Sequence, residues 1–398
     1  MGLGDSLAVV AISVTKLVLA GGSCAYTYRS LLKRKQIEAQ TLTSLARVNK
    51  QLLIPLFIFS KCAQGITGDT LAKFSFVPAL IIAFMLTGYL AGRTSVWLSR
   101  APPRAAPVAT ASCTFSNVLG LPLPLVESLV AGLAAYQDDR EAQSRCVSYL
   151  FLANIASSTL MWTIAPRMLA PLAGGAPPLA GGAKYASDQW SSVMEGSAAD
   201  VEAAPSGGSG GSIAARGMAH VCRAARGVWM ALNRPTAASL LGMAVGVTPP
   251  LRGLLVLPEA PLRFLIDAME LLGKGAIPLI LFVLGGQLSS GPTAGTSEDM
   301  PPRTIVAVII SKLLIVPSCN LGLILAALKT GLLPGTDSLL PLCLLIVGAS
   351  PTAMNMSTIA SIAGGGQREV AQILFWQYIL SVISMSLFAA VGLLIFLE

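Results

Sequence analysis

Two proline-containing stretches combine amide and hydroxyl side chains inside otherwise apolar sequence. The first is Ser116 to Pro124 (SNVLGLPLP) and the second is Gly348 to Asn355 (GASPTAMN). A proline removes a backbone N–H group and clashes with the preceding turn, so we expect a helix to break in each stretch. In lipid, a broken helix is tolerated only where it faces protein or a water-filled cavity. The two stretches are therefore predicted to line a binding site.

Breaks of this kind can bind a small anion without a charged ligand. The start of a half-helix offers free backbone amides and the positive end of the helix dipole, and both attract a carboxylate. We predict Asn117 and Asn355 as the side chains that hydrogen-bond the anion, with half-helices beginning at Pro122 and Pro351. Ser350 before Pro351 suits a helix start, as a cap followed by a first-turn proline.

The other predicted site residues are neighbours in the same two stretches. Prolines are common in membrane helices, and a single asparagine often only bridges two helices. Matched breaks with an asparagine in each half of the chain favour a binding site instead. The remaining predicted ligands are Ser116, Ser350 and Thr352, and the residues that break the helices are Gly120, Pro122 and Pro351.

The composition places these stretches in a membrane. Hydrophobic residues make up 54% of the chain, charged residues only 12%, and the mean hydropathy is +0.71. Soluble domains contain about 25% charged residues. Apolar segments of roughly 20 residues, the length that spans a bilayer, recur along nearly the whole chain. We therefore predict an all-α polytopic membrane protein.

Ten transmembrane helices are predicted, five on each side of a polar middle segment. Prolines break the fourth and the ninth. The first span is read as a retained helix, since it has no basic segment or cleavage site of a signal peptide. The predicted spans are 6–28, 42–62, 71–96, 105–135, 147–170, 235–256, 262–288, 305–328, 339–363 and 370–397.

The middle segment divides the chain into three parts. Residues 171–234 are rich in Gly, Ala, Pro and Ser and are predicted to be a flexible linker between repeats at 1–170 and 235–398. IPLFIF at 54–59 reappears as IPLILF at 277–282, in the second span of each half. Five spans per half is an odd number, so a duplicated half must be inverted. The two broken helices, four and nine, would then meet near the membrane midplane.

Lysine and arginine concentrate in alternate loops and predict the orientation. This distribution places the linker in the cytosol and both termini on the lumenal or extracellular side. The net charge of +8 is therefore interpreted as a topology signal, without the interleaved aromatic and basic residues of nucleic-acid binders. Membrane lipid is a predicted partner, nucleic acid is not, and a homodimer is left open. The basic cluster at 29–35 is interpreted as an anchor that could touch anionic lipid.

Ionisable residues inside predicted spans are further candidates, because charges are costly in a membrane. Glu270 and Lys274 are four residues apart, which predicts an ion pair on one helix. Glu127, after the fourth-span break, is expected to be solvated near a membrane face. The other candidates at membrane depth are Lys16, Asp267 and Lys312.

The sequence offers little support for an enzyme. The single histidine, His220, lies in the linker, and no catalytic triad, metal-ligand spacing or nucleotide-binding glycine loop is present. No metal and no cofactor are predicted. Two alternatives to a carrier of weak acids remain open: a sodium- or proton-coupled symporter of another organic anion, and a non-transporting membrane scaffold or receptor.

Six short motifs occur in order along nearly the whole chain except the linker. They are NKQLLIPLFIFSK at 49–61, NVLGLP at 117–122, TPPLR at 248–252, GAIP at 275–278, SPTAMN at 350–355 and FWQY at 375–378. These motifs resemble the auxin efflux carrier family and, within it, the PIN-LIKES branch. The short linker with few charges fits that branch better than the PIN-FORMED branch.

The resemblance implies a ten-helix carrier built from two inverted repeats. In it, helices four and nine would cross and hold an auxin-type carboxylate, with elevator-like alternating access. It also implies the endoplasmic reticulum membrane and a role in intracellular auxin homeostasis. The function predicted from residues and resemblance together is a passive or gradient-driven carrier of acids like indole-3-acetate.

Overall fold

Helices make up nearly all the regular structure of the computed structural model. It describes residues 3–34, 37, 39–68, 76–136, 139, 142–173, 234–289, 300–333, 337–363 and 365–397. Within these ranges, the only extended pairing is a single bridge between two loops. The predicted linker at 171–234, with His220, lies outside the described residues except at its two ends. The prediction of an all-helical chain is confirmed for the described residues.

Each predicted span of the first half contains at least one helix. A π-helical turn, Asn49–Leu53, joins the second helix to the third. The fourth predicted span is divided into two short helices, while the fifth is one long helix. The described helices are α1 Leu3–Lys33, α2 Ala39–Val48, α3 Ile54–Gly65, α4 Val77–Leu98, α5 Ala105–Thr114, α6 Pro122–Gly132 and α7 Ala142–Leu169.

The second half is also helical and has more interruptions. A second π-helical turn, Ser311–Ile315, lies between two helices of the eighth predicted span. The described helices are α8 Arg234–Val247, α9 Pro249–Leu255, α10 Arg263–Gly273, α11 Ala276–Ser289, α12 Pro302–Ile310, α13 Val316–Lys329, α14 Leu339–Gly348, α15 Asn355–Ala363 and α16 Gln367–Phe396.

Several helices are long and apolar enough to cross a bilayer. Five described stretches meet this condition as continuous helical runs, one of them through the second π-helical turn. The number is six if α8 and α9, which are bent by 100° at Thr248, are counted as one span. The fourth and ninth predicted spans contain shorter apolar helices, α6 and α14, because a break interrupts each of these two spans. The five stretches are Ala8–Lys33, Val77–Leu98, Ala142–Leu169, Pro302–Lys329 and Gln367–Phe396. The chain is therefore an integral membrane protein.

Each π-helical turn is coupled to a proline. Pro55 and Pro317 stand at the second position of α3 and α13, directly after the two π-helical turns. The proline ring clashes with the carbonyl group four residues earlier, and that carbonyl belongs to the π-helical turn in both cases. The wider turn makes room for the ring, and such turns often occur at functional sites. The second of them contains Lys312, which is fully buried.

Helix packing forms two groups in the described chain. In the first group, α3 packs against α8 and α10, and α1 packs against α11. In the second group, α4 packs against α5 and α7, and α14 packs against α7 and α16. The groups meet where α3 and α8 contact α7 and where α1 contacts α6 and α16. Both proline-containing breaks belong to the second group.

A close helix contact fixes the position of α5. A Cβ atom at Gly92 of α4 would lie only 2.8 Å from the Cα atom of Thr110 in α5. Real Cβ atoms do not approach this closely, so the two helices can pack at this distance only because residue 92 is a glycine. The contact holds α5 just ahead of the first break.

The ion pair predicted on α10 has a different principal partner. Glu270 Oε1 lies 2.9 Å from Lys61 Nζ of α3 and 3.8 Å from Lys274 Nζ. Gln64 Nε2 also donates to Glu270, at 3.1 Å. The sequence interpretation named only Lys274 because helical spacing reveals neighbours on the same helix and not on the next one. The Glu270 carboxylate therefore joins α10 to α3.

Glu127 of α6 was expected to be solvated near a membrane face. Its side chain is instead half-buried.

Candidate functional site

The chain leaves helical structure at both predicted breaks. Helix α5 ends at Thr114 and α6 begins at Pro122, whose missing N–H group is tolerated in a first turn. Helix α14 ends at Gly348 and α15 begins at Asn355. The first break therefore ends at Pro122, as predicted, whereas the second break continues past Pro351.

The two breaks contact each other through their main chains. Asn117 N donates to Pro351 O at 2.7 Å, and Ala353 N donates to Phe115 O at 2.9 Å. Ser116 and Thr352 thereby form an isolated antiparallel bridge. The structure thus brings together residues that are far apart in sequence, at the place where four half-helices end or begin. We call this region, residues 115–121 and 349–354, the crossover.

The bridge corrects the predicted start of the second half-helix. Pro351 was expected to begin a helix with Ser350 as its cap. Pro351 and Thr352 are instead held in the crossover by their pairing with the first break, and α15 starts at Asn355. The Ser350 hydroxyl donates back to Val347 O at 2.7 Å, at the end of α14. Ser350 therefore stabilises the end of one helix and does not begin the next.

Asn117 is buried and both ends of its side chain are engaged. Its Oδ1 accepts from Gly120 N at 2.8 Å, and its Nδ2 lies 2.7 Å from the Tyr378 hydroxyl. The Tyr378 hydroxyl in turn donates to Thr352 O at 3.1 Å. Asn117 therefore organises both breaks through α16. It retains one further Nδ2 hydrogen, since an amide nitrogen has two.

Asn355 differs from Asn117 because its side chain has no partner among the described residues. It stands at the first residue of α15 and is partly exposed. An amide in this position can donate to a ligand at the positive end of the α15 dipole. Of the two predicted asparagines, Asn355 is thus the one with a free side chain.

The predicted hydroxyl ligands have partners within the protein. Thr352 Oγ1 donates to Ser112 O, at the end of α5, and both Thr352 and Ser350 are fully buried. Ser116 Oγ accepts a hydrogen bond of 2.6 Å from Lys312 Nζ and is only partly buried. The Ser116 hydroxyl can therefore still donate a hydrogen bond, whereas the hydroxyl groups of Ser350 and Thr352 already donate to main-chain carbonyls.

Gln377 is a site residue that the sequence did not single out. Its side chain is fully buried, and its Oε1 accepts from Thr352 N at 2.9 Å. Its Nε2 has no hydrogen-bond partner among the described residues. A buried unpaired donor is costly, and this one lies beside the crossover, where it is available to a ligand. The only signal in the sequence was the FWQY motif at 375–378, which contains Gln377 and Tyr378.

The ends of α5 and α14 are covered by side chains from the same span. Lys312 Nζ donates to Cys113 O at 3.0 Å, and Asn320 Nδ2 donates to Gly348 O at 3.4 Å. Asn320 Oδ1 also accepts from Thr87 Oγ1 at 2.8 Å. These contacts offset the negative ends of both helix dipoles. The positive starts of α6 and α15 follow the two breaks in sequence.

The electrostatics of the crossover favour an anion. No carboxylate makes an ion pair or hydrogen bond with Lys312 in the described part of the chain. The described part of the chain also contains no group of three or more His, Cys, Asp and Glu residues that could hold a metal ion. What remains are amide donors, helix starts and one ammonium group. This set can bind a carboxylate.

Comparison with known proteins identifies the class of protein. The family model described as membrane transport protein matches residues 13–389. PIN-LIKES 2 of Arabidopsis thaliana is 24% identical over 408 residues, which cover 90% of this chain and 88% of the relative. PIN-LIKES 5 of the same plant is 23% identical over 407 residues and 99% of both chains. An uncharacterized transporter of Schizosaccharomyces pombe is 22% identical over 91% of this chain and 89% of its own length. The chain belongs to the membrane transport protein family, that of the auxin efflux carriers, and resembles its PIN-LIKES branch.

Proposed function

We propose that this protein is a carrier that moves small organic anions of the auxin type across a membrane. The observation that carries the proposal is the bridge between Ser116 and Thr352, which joins two broken helices in the membrane. The bridge leaves the starts of α6 and α15 and three amide side chains around one place. A weak acid such as indole-3-acetate presents a carboxylate to these donors and an aromatic body to the apolar surroundings.

Each side chain has a defined role in this proposal. The free Asn355 amide and the unpaired Gln377 Nε2 donate to the carboxylate oxygens. Asn117 sets the shape of the crossover through Tyr378 and adds its remaining hydrogen. The helix starts add the positive ends of their dipoles. The first turn of α6 adds no free main-chain amide, since Pro122 and Pro124 lack an N–H group and Leu123 N donates to Leu119 O. No inorganic ligand is required for this set of contacts.

The fold supports alternating access by two inverted repeats of five helices. Each half contains one break at its fourth predicted span, and the two breaks pair with each other. The crossover lies within the second helix group, which contacts the first through α1, α3 and α8. Movement of the second group past the first would carry the anion from one side to the other, as in an elevator. The ten-span arrangement, with 1–170 and 235–398 as repeats, is part of this proposal.

Transport can be tested with purified protein in liposomes. We expect saturable uptake of labelled indole-3-acetic acid, measured with no gradient, with a proton gradient and with a sodium gradient. Asn355→Ala is expected to lose most of the uptake while its thermal unfolding stays near that of the wild type, because Asn355 has no partner among the described residues. Asn117→Ala is expected to lose uptake and some stability together.

The outcomes separate the parts of the proposal. Normal uptake by Asn355→Ala would remove this residue from the site. Absence of uptake of indole-3-acetate and of a panel of other organic acids by folded wild-type protein would reject the carrier function. Gradient dependence would show whether protons or sodium ions accompany the acid.

The location follows from the resemblance and is also a proposal. We place the protein in the endoplasmic reticulum membrane, with a cytosolic linker and lumenal termini. A fluorescent tag inserted at 200–210, read together with a protease-protection assay on isolated membranes, tests both points. A linker protected from added protease would reverse the orientation.

A further inference from the structure

Three arginines lie where the end of α4 meets the starts of α5 and α12. Arg104 is the N-cap residue of α5, and Arg303 is the second residue of α12. Arg100 lies two residues after the end of α4, and its carbonyl oxygen accepts from Arg303 Nη2 at 3.3 Å. All three residues are exposed. Neither Arg100 nor Arg303 forms an ion pair with an acidic residue of the described chain.

Each of these three positions is unfavourable for an arginine. The start of a helix is the positive end of its dipole, so Arg104 and Arg303 stand where a cation is disfavoured. Arg100 has a φ of +48°, and among the described residues it is the one non-glycine residue with a positive φ. Glycine is usual at this place after a helix, because other residues are strained there. Strained residues cluster at functional sites, and a bound anion would offset the repulsion at both helix starts.

Two buried hydroxyl groups flank the contact between Arg100 and Arg303. Ser99 precedes the first arginine and is 8% exposed, and Thr304 follows the second and is fully buried. Neither hydroxyl oxygen has a hydrogen-bond partner among the described residues. Other hydroxyl groups of α4 donate to a carbonyl of their own helix, as that of Thr94 does at 2.9 Å. A buried hydroxyl without a partner is costly, so these two are available to a ligand.

The packing of α4 against α12 brings the two hydroxyl groups to the same place. Ser95 Oγ lies 3.4 Å from Ala307 O, one turn deeper along this contact. The two helices run in opposite directions here, because the end of α4 meets the start of α12. Ser99 lies one turn after Ser95, and Thr304 lies about one turn before Ala307. Both hydroxyl groups therefore lie at the end of the contact where the arginines are.

The apolar neighbours place these residues at the level of the lipid headgroups. Trp97 is 75% exposed and Leu98 is 71% exposed, at the end of a helix that is long enough to cross the membrane. A tryptophan at the end of such a helix lies at the boundary between the hydrocarbon and the headgroups. The arginines follow within a few residues, so they lie at the depth of the lipid phosphates. This depth favours a lipid over a soluble phosphate compound.

We propose that the two guanidinium groups and the two buried hydroxyl groups bind the phosphate of an anionic phospholipid. Guanidinium groups pair with phosphate oxygens, and each hydroxyl group can donate one hydrogen bond. Phosphatidylcholine carries a cationic group beside its phosphate, so the arginines disfavour it. Helix α5 leads from this place to the first break, and the bound lipid thus lies at the outer end of a helix that positions the crossover. The residues of this lipid site are Ser99, Arg100, Arg303 and Thr304.

Native mass spectrometry of the full-length protein tests the lipid site directly. Phosphatidic acid and phosphatidylcholine with the same acyl chains are added, and the wild type is expected to retain phosphatidic acid in preference. Arg303→Gln should lower the apparent affinity for phosphatidic acid by about tenfold, because a charge-assisted contact is lost, and should leave phosphatidylcholine binding unchanged. Arg100→Gly should lower the affinity similarly. Its unfolding temperature without phosphatidic acid should stay the same or rise, because glycine suits a positive φ.

Matched controls separate the lipid site from general charge and from soluble phosphate. Arg167 is an exposed arginine in the last turn of α7, where the helix dipole favours a cation. Arg167→Gln lowers the net charge by the same amount and should bind both lipids as the wild type does. Thr304→Val removes one hydroxyl group at nearly constant shape and should weaken only phosphatidic acid binding. Glycerol 3-phosphate, which has the same phosphate group without acyl chains, should not displace the lipid.

Each outcome has a defined meaning. Loss of the preference for phosphatidic acid in folded Arg303→Gln or Arg100→Gly, with normal binding by Arg167→Gln, supports the proposal. Equal retention of the two lipids by the wild type, wild-type binding by both variants, or an equal loss in Arg167→Gln would overturn it. Displacement of the lipid by glycerol 3-phosphate would also overturn it, because the ligand would then be a soluble phosphate compound. If Arg303→Gln does not fold, Arg100→Gly decides the test.

Discussion

The Nδ2 atom of Asn117 lies 2.7 Å from the hydroxyl oxygen of Tyr378, and both side chains are buried. The same hydroxyl donates to Thr352 O, at 3.1 Å, on the other break. One phenol on α16 therefore joins the two halves of the crossover. The relationship makes Tyr378 a residue that shapes the site without being one of its predicted ligands.

Removal of the Tyr378 hydroxyl should loosen the crossover. Tyr378→Phe leaves the Asn117 amide and Thr352 O without their buried partner, and we expect a loss of about 1–3 kcal/mol in the free energy of unfolding. Uptake of indole-3-acetate should fall as well. Thermal unfolding and liposome uptake measure the two effects. Tyr26→Phe is the control, because Tyr26 is 77% exposed on α1. Unaltered stability and uptake in Tyr378→Phe would show that the hydroxyl group has no role and that the aromatic ring alone shapes this contact.

A methyl group at Gly120 should displace the Asn117 side chain. A Cβ atom there would lie 2.5 Å from Asn117 Nδ2 and 2.9 Å from Met354 Cε. The methionine end can move, but the amide is held by two hydrogen bonds. Gly120→Ala is therefore expected to reduce the affinity for the anion more than it reduces stability, which binding and unfolding measurements can separate.

A control for Gly120→Ala comes from a glycine in open space. Gly322 lies in α13 with nothing within 4 Å of an added Cβ atom. Gly322→Ala should be neutral or stabilising by about 0.5–1 kcal/mol, since alanine is the better helix former. If both variants bound the anion with wild-type affinity, the close packing at Gly120 would have no role in the site.

The two lysine partners of Glu270 should differ sharply in their contribution to stability. Lys61 is 2.9 Å from the carboxylate with a side chain 14% exposed, whereas Lys274 is 3.8 Å away and mostly exposed. Lys61→Met should cost about 1–3 kcal/mol by leaving a half-buried carboxylate short of its partner. Lys274→Met should change the stability by less than about 0.5 kcal/mol. Equal effects in thermal unfolding would contradict the structural ranking of the two pairs.

The parts of the fold that the sequence predicts are those that follow from local rules. Hydropathy locates the helices, and a proline with its neighbours locates each break, because both effects act within a few residues. The first half-helix begins at Pro122 as predicted. The start at Pro351 was wrong because pairing with the first break, a contact between distant segments, overrides the local preference of a Ser-Pro pair.

Residues of the site on other helices could not be found by local rules. Gln377 and Tyr378 lie in the long apolar helix α16, without a proline or charge to mark them. Lys312 was noted as a charge in a span, but its contact with Cys113 and Ser116 depends on how α5 packs against the second π-helical turn. Contacts of this kind arise from tertiary packing, which a single sequence does not reveal.

The unpaired donor of Gln377 leads to the most specific prediction about the ligand. Gln377→Glu keeps an oxygen for Thr352 N but replaces the Nε2 donor by a second, negatively charged oxygen. We expect indole-3-acetate binding to fall by at least about tenfold through loss of a donor and charge repulsion, while indole-3-acetamide binding falls less. Calorimetry in nanodiscs measures both. Gln143→Glu adds the same charge at an exposed position of α7 and should leave both affinities unchanged. If Gln377→Glu bound the acid as the wild type does, Nε2 would point away from the ligand, and Asn355 would be the principal side-chain donor.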